Sequence, residues 1–238
     1  MGVGLSSSQA RLYRQGTAAA LVAAPLLFLV ANILHPEEWK RDHEAEQLAE
    51  IASNYTRWQL AHFLTFGSVV LFAAAVLGLA YLVRRRRPTA GLVFGAMALA
   101  GLFGLAFVDA LDGYTWGILG EVSAQSGAHA ATVQLALHDV QQSSWAIPYY
   151  VTPVLFVAGV GALALHAAGQ GAVPLSASFL LTVGVLLGGA EGVVEDNAFF
   201  IVASSVLLLG AAAVAAALWQ MSDEEFDAGT RHNPPREA

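Results

Sequence analysis

Apolar residues run in long blocks along this chain, and polar residues gather in the gaps between them. Six blocks stand out, at about residues 17–34, 58–83, 90–110, 145–166, 173–191 and 198–220. A helix needs roughly 20 mostly apolar residues to cross the hydrocarbon core of a bilayer. The pattern therefore predicts an all-α polytopic membrane protein, a bundle of six transmembrane helices filling residues 17–220. Residues 1–16 precede it, and residues 221–238, ending RHNPPREA, read as a disordered tail. The first block is too long for a signal-peptide core and lacks a small-x-small cleavage site, so it reads as an uncleaved helix.

Basic residues set the direction. Arg11, Arg14, Arg84 to Arg87, Arg231 and Arg236 fall on one side, and Lys40, Arg41 and Arg57 on the other. The positive-inside rule then places both termini in the cytoplasm, N-in/C-in. The acids sort the opposite way, with thirteen of the 18 on the outer side. Within the outer loops, residues 42–55 space their apolar positions as a short amphipathic surface helix, whereas Gly113 to Gly127 reads as irregular. Pro148 and Pro153 fall inside the fourth block and are expected to kink it.

Composition strengthens the membrane reading. Apolar residues make up 56% of the 238, and charged residues only 12%, against roughly 25% in soluble domains. The net charge of −7 argues against a nucleic-acid partner. No GxxxxGK[ST] or GxGxxG loop offers a nucleotide site. Cysteine is absent, which excludes disulfides and thiolate metal sites. The location these features imply is a bacterial plasma (inner) membrane, crossed several times, with the lipid bilayer as the partner.

Chemistry concentrates at the outer ends. The fifth block finishes in GGAEGVVEDN, residues 188–197. Gly184, Gly188, Glu191 and Glu195 would share one face if the helix continued that far. Glycines four apart favour close helix packing in lipid, so the two glutamates would point into the bundle. His35 ends the first block, His62 sits one turn inside the second, and Asp109 and Asp112 end the third. His138 precedes the fourth block and opens a stripe with Gln141, Trp145, Tyr149 and Thr152. Imidazoles and carboxylates together make a candidate site for a divalent metal, with His35, His62, Asp109, Asp112, His138, Glu191 and Glu195 as ligands. Haem fits less well, since only His62 with His35 or His138 offers two facing rings. The bland alternative is that these groups only satisfy helix ends. His43, His129 and His232 read as solvated, and His166 as alone at the cytoplasmic end.

No HxxxH, HExxH or GxSxG motif occurs, so no catalytic residue can be named. RLYRQG, the first-block ending LHP, RWQLAHFL and the RRRRP turn before a Gly/Ala-rich third block resemble a class of uncharacterised bacterial, often actinobacterial, six-helix integral membrane proteins. The resemblance covers about the first half of the chain. It implies the topology and brings no activity with it. Three functions remain in competition: a metal or cation site near the outer face, a small solute or ion transporter, and a non-catalytic envelope assembly protein. A homo-oligomer stays open, because the glycine stripes serve dimerisation as well as internal packing.

Overall fold

The computed structural model describes residues 5–36, 44–125, 147–190, 194 and 196–229. Every regular element in them is an α-helix. They are α1 (Ser7–Leu34), α2 (Glu44–Ser53), α3 (Tyr55–Arg84), α4 (Pro88–Gln125), α5 (Ile147–Gly169), α6 (Leu175–Gly189), α7 (Asn197–Gln220) and α8 (Asp223–Ala228). Five of them, α1, α3, α4, α5 and α7, are long and apolar enough to cross a membrane. The chain is a multi-pass, helical membrane protein. The sixth apolar helix, α6, has only 15 residues.

The six apolar helices form a ring in chain order. Each packs on its predecessor, α1 on α3, then α4, α5, α6 and α7, and α7 closes back on α1. The end of α1, the start of α3, Asp109 and Asp112 of α4, the start of α5, the end of α6 and the start of α7 meet around one cavity, so neighbours in the ring run antiparallel. Small residues set the spacing. A Cβ at Gly101 would strike the backbone of Phe156, and one at Gly159 the backbone of Ala98, so α4 and α5 touch main chain to main chain. Gly184 against Leu207 and Gly210 against Leu181 do the same for α6 and α7.

Three expectations from the sequence need correction. First, α4 does not stop near residue 110. It continues to Gln125, 38 residues or about 57 Å, through a stretch that reads as irregular. The reason lies in its glycines. Gly113 faces the His62 ring, Gly117 faces Trp58 and Tyr55, and Gly120 faces Ile51. The overhang therefore accepts α2 and the start of α3, and Leu48, Ile51, Trp58 and Trp116 form a second small core there. Second, α6 ends at Gly189, with Ala190 as its cap. Glu191 and Glu195 lie outside the described residues, so the face that starts at Gly184 and Gly188 is described only to the end of α6. Third, the chain beyond residue 221 is not wholly disordered. Ser222 and Glu225 form a reciprocal capping box, and α8 follows.

That last helix packs on the arginine-side ends of α1 and α3. Phe226 is fully buried and stacks on Tyr81 at 5.8 Å. Asp223 accepts from Arg11 at 3.2 Å and from Arg14 at 3.1 Å. Arg14 is itself buried and also donates to the carbonyls of Leu218 and Trp219, which end α7. Asp227 accepts from the Tyr81 hydroxyl and pairs with Arg85 at 3.4 Å. Gly229 closes α8 at φ 71°, the left-handed conformation that glycine adopts without steric cost. His166 is not alone: Arg87 lies 2.9 Å from its Nδ1, and Phe94 stacks on its ring.

Candidate functional site

The opposite end of the ring encloses a cavity of about 290 Å³, and all six helices contribute to its wall. Its upper wall is polar. Asn32 and His35 come from the end of α1, His62 and Thr65 from the start of α3, and Asp109 and Asp112 from α4. Its floor is apolar and aromatic, with Phe28, Phe72, Phe156 and Phe200 from four different helices. Pro153 of α5 and Gly188 and Gly189 at the end of α6 complete it. Pro153 lies within α5.

Both histidines are fixed by backbone carbonyls. His62 Nδ1 donates to the Trp58 carbonyl at 3.0 Å, one turn back on α3. His35 Nδ1 donates to the Pro36 carbonyl at 3.0 Å, and Asn197 donates to the same oxygen at 3.1 Å. A carbonyl can only accept, so each Nδ1 carries a hydrogen. The Nε2 of His62 is then left facing Asp112 Oδ2 at 3.6 Å, which is ion-pair distance. A proton between them makes the pair attractive, on either partner. Trp58 lies against both rings, 4.8 Å from His35 and 4.4 Å from His62, and the two imidazoles are 5.2 Å apart. Arg57 holds the end of α1 in place by donating to the carbonyls of Leu34, Ile33 and His35.

Depth differs along α4. The Asp112 side chain is 32% exposed and stands at the mouth. Asp109 lies one turn deeper, and its Oδ2 is buried with no hydrogen-bond partner. Asn32 Nδ2 is in the same condition on the facing helix, and both residues line the cavity. Buried polar atoms of this kind are uncommon and expensive to maintain.

Of the seven sequence-predicted ligands, the fold brings four together: His35, His62, Asp109 and Asp112. His138, Glu191 and Glu195 lie outside the described residues. Among the described residues, no group of three or more His, Asp or Glu side chains is gathered to hold a metal ion. The tilted contact between His35 and His62 also leaves no space for a porphyrin between the rings. Sequence reasoning passed over Asn32, although it stands three residues before His35 in NILHP and so on nearly the same helix face. It also passed over the four phenylalanines, whose convergence depends on ring order. Gly188 acts as a provider of space, since nothing lies within 4 Å of a Cβ placed there.

No family model, no curated protein and no solved structure matches this chain.

Proposed function

We propose that this is a six-span, N-in/C-in plasma-membrane protein that binds a small ligand in the cavity at its outer end. One observation carries the reading. At its arginine end the ring carries paired charges that tie α8 to α1 and α3, yet at its histidine end it keeps a six-walled cavity whose Asn32 and Asp109 atoms lack partners. Ligand pockets are typically apolar chambers with a few convergent polar groups. The N-in/C-in direction rests on the eight bases on the arginine side against three on the other. At 15 residues α6 covers only about 22 Å, less than a bilayer core of roughly 30 Å. It counts as the sixth span because it is apolar and packs between α5 and α7 in the ring.

A small solute suits this chamber better than the metal ion that the residue types first suggest. A solute fills the aromatic floor and partners the buried polar atoms together, whereas a bare ion leaves the floor empty. Native mass spectrometry on protein released from its own membrane tests the reading. The expected spectrum carries a non-lipid adduct, or gains one from a solute library, and the Gly188→Val chain does neither. Identical spectra for both chains, with no adduct in either, would sink it.

A carrier is the second reading, favoured by Pro153 in the cavity wall. Flux of the bound solute in proteoliposomes separates a carrier from a receptor.

A further inference from the structure

On the ligand-binding reading above, we infer that the occupant is an amphiphilic organic cation, a protonated amine carrying a short apolar chain. The ionisable groups of the cavity are two carboxylates and two imidazoles, and no Lys or Arg lines it. An anion would meet Asp109 and Asp112 with no fixed positive partner. A bare metal ion would find no three-ligand group among the described residues.

An ammonium answers the unmet needs of the site. Its N–H donates to Asp109 Oδ2, the buried acceptor without a partner. Carboxylate and ammonium, once paired and hydrogen-bonded, tolerate a low-dielectric site that neither tolerates alone. Asn32 faces the same space with an amide that presents both donors and an acceptor, so it serves a hydroxyl or ether oxygen beside the amine. Below the head, the floor is built from aromatic faces. Phe72 and Phe156 meet edge to face at 5.6 Å, and Phe28 and Phe200 stand on the flanking helices. Aromatic faces attract a cation as well as an alkyl chain. On α1 and α3 the polar groups stand nearer the histidine end than the rings, Asn32 before Phe28 and His62 before Phe72, which sets head and tail.

The test uses the full chain in nanodiscs and three probes of one length: hexylamine, 1-hexanol and hexanoate. Calorimetric titration reads binding. The Gly188→Val chain, whose added side chain enters open space, subtracts partition into lipid. Saturable binding of hexylamine is expected, at least tenfold tighter than that of hexanol, with none for hexanoate. Gly188→Val should abolish it. Asp109→Asn should weaken it about tenfold while the melting temperature stays within a few degrees. Hexanol or hexanoate binding as tightly as the amine overturns the cation assignment and leaves a ligand cavity standing. So does hexylamine binding that Gly188→Val removes and Asp109→Asn does not change. If no probe saturates on the native chain, or if Gly188→Val binds all three as the native chain does, the cavity reading itself fails. Zinc or manganese binding one per chain, lost in Asp109→Asn and retained in Gly188→Val, would overturn the inference in favour of a metal site.

Discussion

The two ends of the ring use similar residues toward opposite results. At the arginine end, buried Arg14 ties α1 to the last carbonyls of α7 and to Asp223, and α8 buries Phe226 against Tyr81 of α3. At the histidine end, charged and amide groups also face inward, but they surround a void, and Asp109 and Asn32 have atoms without partners. Burial of charge therefore does not by itself mark a functional place in this molecule. The distinction lies in whether the buried groups satisfy one another.

Packing glycines should give the largest effects. In Gly210→Val the new side chain would have to occupy the backbone of Leu181, so α6 and α7 must part. We expect a loss of more than about 3 kcal/mol, beyond usual overpacking, with little folded protein recovered from detergent. Size-exclusion profiles check it, and a normal profile would show that the ring is not closed through that contact. Next is Phe226→Ala, which empties a fully buried site and should cost about 3 kcal/mol. Thermal unfolding reads it. A cost under about 1 kcal/mol would mean that α8 decorates the arginine end rather than holding it together.

At the other end the sign should reverse. Asp109→Asn removes a half-buried carboxylate whose Oδ2 has no hydrogen-bond partner, so the empty protein should be unchanged or more stable by about 1 kcal/mol. A marked fall in melting temperature would show that Asp109 supports the fold, and the contrast between the ends would collapse. The smallest effect is on pH. Desolvation is the largest single influence on Asp223 and would raise its pKa, but hydrogen bonds and charge from Arg14 and Arg11 together outweigh it and hold it below 3.8. A depressed carboxylate stabilises the fold above its unfolded pKa and loses that contribution as pH falls through the lower folded value. The α8 contact should thus persist at pH 5 and loosen only below the ordinary carboxylate range. Hydrogen exchange at Phe226 reads this, and loosening already between pH 6 and 5 would contradict it.

Much of this was legible in the sequence, because apolar block length is a strong signal. The six blocks became the six ring helices, and the convergence of His35, His62, Asp109 and Asp112 followed from their places at the block ends. What was illegible depended on long-range contact. Gly113, Gly117 and Gly120 look like breakers until α2 and α3 are seen to fill the spaces they leave. Phe226 is one apolar residue among acids, and only its burial under Tyr81 docks the segment on the ring. The Ser222–Glu225 capping box was readable and carried that signal locally.

Trp58 has a consequence of its own. Its indole donates to the Gly113 carbonyl at 2.9 Å, packs in the small core beneath α2, and rests on the rings of His35 and His62. One side chain is thus a bearing shared by the chamber and the domain standing above it. An occupant that rotates either imidazole must shift that bearing, and α2 rides on it. Helix α4 carries the same coupling along its length, because Gly113, Gly117 and Gly120 hold it against His62, Trp58 and Ile51, so a filled chamber is felt in α2 without any residue there touching the guest.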